Sequence, residues 1–158
     1  MPTPSELAED GILVHYGGRL AAWELPVRKL FAFPSAVTWI RDVLPGLQSD
    51  GYFDEAPTPS QQLDALFHQF LTGVEVFPFP PKAMEPQTTG VWELRTHDLR
   101  AFGWFWRKGI FIMTSIDTKK RVVEHGLYNG YRDDCTRRCG EIDLDPPRMI
   151  TGRAEDVL

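Results

Sequence analysis

A chain of 158 residues, 42% hydrophobic and 12% aromatic, is long enough for one domain and too apolar for a disordered segment. No apolar run approaches the roughly 20 residues of a membrane-crossing helix, and the polar, acidic residues 1–11 read as neither a secretory signal nor a mitochondrial presequence, so a cytoplasmic protein is expected. A net charge of −5 excludes a surface that is basic all over, as a non-specific nucleic-acid binder would have.

In chain order, residues 1–11 read as a flexible arm, 12–138 as the core of a single domain, and 139–158 as a tail. Segments 12–16 and 20–27 both have strand composition, and Gly17-Gly18 between them fits a hairpin turn. Ser35 is a good N-cap for a helix in which Val37, Ile40 and Leu44 recur on one side before Pro45-Gly46 stops it. The clearest helix follows. Thr58 caps it, Pro59 takes the first helical position, Gln61 completes a capping box and Gly73 ends it. Leu63, Leu66, Phe67, Phe70 and Leu71 form its core-facing stripe, with His68 at the boundary. Pro78, Pro80, Pro81 and Pro86 then keep 76–86 extended, because each removes a backbone donor.

Strands over 91–95, 99–106 and 110–116 make a meander that turns at Thr96-His97-Asp98 and Arg107-Lys108-Gly109. Residues 124–139 read as a helix weakened by Gly126 and Gly130, and Asp145-Pro146-Pro147 argues against any helix beyond it. Cys135 and Cys139 read as ordinary thiols. With no Cys-x-x-Cys pair and four histidines in all, neither a metal site nor a cofactor is expected. The order strand, helix, helix, three antiparallel strands, helix describes an α+β domain. Its sheet is small and antiparallel with a mixed edge, and two N-terminal helices and one C-terminal helix are segregated against it.

Charge is unevenly spread along this order. Residues 1–90 hold 11 acidic against 5 basic side chains, 91–138 hold 6 against 10, and 139–158 hold 5 against 2. The surplus centres on 91–120, where Arg95, Arg100, Lys119 and Lys120 fall on or beside neighbouring strands. Gathered on one surface they would make a phosphate site, since a guanidinium contacts two phosphate oxygens at once and stays charged. The plain alternative is a solvated surface in which the arginines pair with Glu93 or Asp98. Strand alternation does not decide whether Arg95 and Arg100, five apart across a turn, share a face.

Four features of this region resemble the RelE/ParE toxin superfamily, in particular its phage-related HigB-like branch. They are Trp92-Glu93-Leu94-Arg95, Leu99-Arg100, the aromatic run from Phe102 to Trp106, and the Lys119-Lys120 corner ahead of a helix. The departures are Leu99 where the family has an aromatic residue, Asp117 where it has an apolar one, Arg121-Val122-Val123 at the turn, and an N-terminal extension. The resemblance implies a RelE-like fold and a toxin–antitoxin mRNA interferase, a metal-independent endoribonuclease acting on the ribosome. In such chemistry the RNA's 2′-hydroxyl attacks the adjacent phosphate, a base takes its proton, cations stabilise the phosphorane and an acid protonates the leaving oxygen.

On that reading Arg100, Lys119, Lys120 and His125 are catalytic, and Arg95, Arg121, Tyr128 and Tyr131 bind RNA or its phosphates. Crowding among the cations lowers a lysine pKa toward that of a base. Tyr128 and Tyr131, three apart on a helix, fit core packing as well as base stacking. The implied partners are mRNA on the ribosome and a small helix-turn-helix antitoxin. The alternative is a non-catalytic phage-related module that binds an unknown protein partner through the same fold. Its charges would be internally paired, and an apolar patch would be exposed elsewhere. Neither reading involves a membrane.

Overall fold

The computed structural model describes residues 1–17, 20–51 and 55–158. The C-terminal meander forms as its composition requires: β4 (Val91–Arg95), β5 (Leu99–Arg107) and β6 (Ile110–Thr118) pair antiparallel in sequence order. Nearly every residue of β4 and β5 is buried, which explains why they read as continuous apolar runs without alternation. Register shifts at Phe102/Gly103, where Thr114 is the extra residue on β6 and its hydroxyl donates to the Phe102 carbonyl at 3.1 Å. A Cβ on Gly103 would overlap the Ile112 carbonyl oxygen, so this close approach of β5 to β6 depends on glycine.

The N-terminal strands differ from expectation. Within 12–16 the strand is Val14–His15 (β1), followed by Tyr16, whose amide donates to the Leu30 carbonyl at 2.8 Å, and 20–27 is an irregular segment; Gly18 lies outside the described residues. The partner of β1 is instead Lys29–Ala32 (β2), which also lies parallel to β6 with Leu30 opposite Phe111 and Phe31 opposite Ile112. A four-residue strand whose pairing is this distant leaves little local signal. A short strand β3 (Lys82–Ala83) from the proline-rich crossing adds to β4. The described sheet is therefore six-stranded and mixed, in the order β1-β2-β6-β5-β4-β3, larger than the expected small antiparallel sheet with a mixed edge.

Helices cover both faces. On one, α2 (Pro34–Asp42) and α3 (Pro59–Thr72) bury Ala36, Leu63, Phe67 and Phe70 against Leu94, Phe105, Phe111 and Met113. Thr58 and Gln61 form the capping box, and Gly73 ends α3 in the left-handed conformation at φ 79°. In α2 the first helical position belongs to Pro34, so Ser35 lies inside the first turn and not at the cap. His68 flanks this layer, 2.6 Å from the Glu24 carboxylate.

On the opposite face, the expected single C-terminal helix is two: α4 (Lys119–Glu124) and α5 (Tyr128–Glu141), broken at Gly126 with φ 60°. Cys135, Cys139 and Val122 pack there against Phe102, Trp104 and Ile112. Both termini join the body. Residues 1–11 contain α1 (Pro4–Glu9), whose Thr3–Glu6 capping box aims Leu7 into this second core. The supposed tail turns through α6 (Ala154–Val157) and buries Val157 completely in the first. Leu7 and Val157 are single anchors in short polar segments, too sparse to show as a periodic pattern. No helix among the described residues is long and apolar enough to cross a membrane. The α+β class stands, with helices on two faces and not segregated to one.

Candidate functional site

The β4–β5 turn, Thr96-His97-Asp98, is fixed from outside the sheet. Gln62 of α3 accepts from the Thr96 hydroxyl at 2.8 Å and the Asp98 amide at 3.0 Å, and donates to the Asp98 carboxylate at 2.5 Å. The other Asp98 oxygen accepts from the Asp50 amide at 2.9 Å, and the Asp98 carbonyl accepts from the Lys119 amide at 2.7 Å. Burial pushes the Asp98 carboxyl up, but hydrogen bonds from Gln62, Ser49 and Asp50, with His97 beside it, outweigh that and hold it below 3.8. Gln62 on α3 thus holds the β4–β5 turn, and Asp98 ties that turn to Asp50 in the loop before α3 and to Lys119 at the start of α4, making one wall.

The adjoining wall is built on Asp117 at the end of β6, which is 3% exposed. Its carboxylate accepts from the Thr118 amide at 2.8 Å, Arg121 Nε at 3.1 Å and the Tyr131 hydroxyl at 2.6 Å. The Tyr131 ring stacks on Phe102 at 4.8 Å, and burial followed by the Asp117 bond raises its phenol pKa. Thr118 caps α4 by accepting from the Arg121 amide, so the Lys119-Lys120 corner is the first turn of a helix.

Between these walls lies a cleft of about 650 Å³. Trp39, Val43, Leu47 and Pro59 give it apolar surface, and Lys119, Lys120 and His97 stand on its lining. The two lysines are exposed and make no ion pair among the described residues. A second depression of about 730 Å³ between β1, α2 and α3 carries His15, Asp64 and His68 but none of the basic corner.

Of the residues singled out in the sequence, Lys119, Lys120, Arg121 and Tyr131 meet at the cleft. The others do not join them. Arg100 is 7% exposed beneath α5, and its guanidinium donates to the Thr96 and Leu99 carbonyls at 2.7 and 2.8 Å and to the Tyr128 hydroxyl at 3.3 Å. Tyr128 packs edge-on to Phe102. Arg95 is the direct cross-strand neighbour of Arg100, so the two share a face. It nevertheless turns away to donate to the Pro80 carbonyl at 3.1 Å, with the Glu93 carboxylate 3.7 Å from its Nε. Burial raises the Glu93 carboxyl pKa against the pull of Arg100, Arg95 and Lys82. His125 is the exposed C-cap of α4, outside the cleft lining.

Sequence reasoning placed His97 in a turn and gave it no functional part, gave none to Trp39 or Gln62, and considered Asp98 only as a pairing partner for the arginines. A Thr-His-Asp turn opposite a helix glutamine was the available signal, but it becomes specific only once α3 is placed. Chemically, the arrangement offers two free ammonium groups and one imidazole at the edge of an apolar trough. Its buried carboxylates are already filled with hydrogen-bond donors, and among the described residues no three His, Cys, Asp or Glu side chains gather as a metal site would need. In comparisons with known proteins, the chain matches no family model, no curated protein and no solved structure.

Proposed function

We propose that this chain is a non-catalytic binding module that engages a protein partner on its α+β scaffold. The observation that carries the reading is Arg100. The cation placed at the centre of the nuclease hypothesis is buried and held by two backbone carbonyls and a tyrosine hydroxyl. To reach a phosphate it would have to leave those acceptors unsatisfied, at about 1–3 kcal/mol for each buried group. With Arg95 and His125 also outside the cleft, the acid, base and cation set is dispersed. An exposed apolar run supports the same reading, since Trp23, Leu25 and Val27 are 85%, 79% and 71% solvent-accessible.

Inducible expression with mapping of mRNA 5′ ends tests it. Unimpaired growth with unchanged mRNA ends is expected. Growth arrest with new ends, abolished by Lys119→Ala/Lys120→Ala at equal protein level, would overturn it.

One observation favours the mRNA-interferase reading: Lys119, Lys120 and His97 line the same cleft. On that reading the lysines steady the phosphorane, His97 stands in place of His125 as the catalytic histidine, and a helix-turn-helix antitoxin is the natural partner. The same experiment separates the two readings.

A further inference from the structure

We propose that the cleft between α2, α3 and the Lys119-Lys120 corner receives an acidic, apolar peptide segment of a partner protein. Its apolar side chains would seat on Trp39, Val43, Leu47 and Pro59, and its carboxylates would pair with Lys119 and Lys120. The proposal rests on the binding-module reading and names the site and the chemistry of the partner.

The charge balance of the lining argues for an acidic occupant. Asp98 and Asp117 are 5% and 3% exposed, and each of their carboxylate oxygens already accepts at least one hydrogen bond from within the chain. Neither is presented to a ligand. Arg121 is matched by Asp117 at 3.1 Å. Among the described lining residues, the accessible charged groups left are Lys119 and Lys120 against the exposed carboxylate of Asp50, while His97 Nε2 lies 3.3 Å from the Asp50 carbonyl and 3.9 Å from the Asp98 carboxylate. A basic segment would crowd these cations, and a neutral one would cover them without pairing. An acidic one satisfies them.

The apolar lining argues for a body larger than an inorganic anion. Val43, 43% exposed on the cleft, gains only if something apolar covers it. The volume of about 650 Å³ falls within the range of about 300–1,000 Å³ typical of occupied sites. The walls are held before any partner arrives, by Gln62 on one side and Asp117 on the other, so little ordering opposes docking.

The test is selection of random displayed peptides on the full-length chain, in parallel on wild type and Lys119→Glu/Lys120→Glu. It is followed by titration of a synthetic selected peptide, and separately of oligouridine, into the ¹⁵N-labelled protein. Wild type is expected to enrich sequences with Asp or Glu beside Leu, Phe or Trp. The double variant should bind such a peptide about tenfold more weakly or worse. Amide shifts should fall on Trp39, Val43, Leu47, His97 and Lys119.

Both lysines are exposed in the first turn of α4, where an acidic side chain is favourable, so the variant keeps the fold and its amide spectrum shows this. No enrichment, enrichment of basic sequences, or undiminished binding by the variant overturns the proposal. So does oligouridine shifting the cleft amides where no peptide does. Peptides whose shifts centre on Trp23, Leu25 and Val27 remove this site but leave the binding-module reading standing. New mRNA ends in the expression experiment would remove that reading itself.

Discussion

Arg100 and Asp117 stand directly opposite one another in the β5–β6 ladder, yet among the described residues they form no ion pair. Each has turned to other partners. Arg100 reaches back to the carbonyls of its own strand and turn, while Asp117 reaches forward to α4 and α5. The consequence is a division of labour at one end of the sheet. The arginine braces the β4–β5 turn, and the aspartate ties the two C-terminal helices to the cleft.

That division predicts different costs for two sets of basic side chains. Arg100→Ala leaves the Thr96 carbonyl without its buried donor and should destabilise the protein by about 2–4 kcal/mol. Lys119→Ala/Lys120→Ala should change stability by no more than about 0.5 kcal/mol, since both side chains are exposed and unpaired. Urea unfolding of the three proteins checks this, and equal losses would contradict the assignment of Arg100 to structure.

Tyr131→Phe removes the hydroxyl that donates to Asp117 at 2.6 Å and retains the ring stacked on Phe102. A loss of about 1.5–3 kcal/mol is expected for a bond to a buried carboxylate. Thermal or urea unfolding measures it, and a neutral substitution would show that Arg121 and the Thr118 amide suffice for Asp117.

Asp98 links stability to pH. Its folded pKa lies below the 3.8 of the free side chain. The stabilisation is therefore fully present above about pH 4 and is lost as pH falls through the lower folded value. Gln62→Ala deletes the first of its hydrogen-bonding side chains and brings the folded pKa back toward the unfolded one. Wild type should exceed this variant by about 1–3 kcal/mol at pH 7 and by less at pH 3, as read from urea midpoints at the two pH values. A gap that does not narrow in acid would show that the carboxylate is not the partner that matters.

Burial pushes the Cys135 thiol up to about 12, and the side chain has no exposed surface. Alkylation of this residue in the native protein at pH 8 should be at least about a hundredfold slower than in urea, because the thiolate is the reacting species. Mass spectrometry of the labelled peptide decides the point. Rapid native labelling would mean that α5 separates readily from the sheet.

The elements legible in the sequence were those whose causes are local. The Thr58–Gln61 box, the stripe from Leu63 to Leu71 and Gly73 specify α3 without reference to the rest of the chain. The meander is likewise announced by its two turns. β2 was misplaced because its four residues acquire meaning only beside β6, whereas the apolar residues of 20–27 suggested a strand that Pro26 and an exposed course do not sustain. At the site the Lys119-Lys120 corner was visible as charge. The fate of Arg100 was not, since it depends on α5 lying over that face of the sheet and bringing the Tyr128 hydroxyl within reach. Charge can be counted along a sequence, but whether a charge is free is decided by tertiary packing.

The parallel pairing of β2 with β6 constrains how the molecule can be assembled. Leu30 and Phe31 find their lateral partners in Phe111 and Ile112, on the far side of both core helices and most of the meander. During synthesis β2 emerges long before β6 exists for it to join, and β1, its other neighbour in the described sheet, waits with it. Closing such a long loop is entropically slow compared with zipping a meander through its turns. The meander strands can pair in the order in which they are made, whereas the N-terminal strands can join the sheet only at the edge that β6 presents.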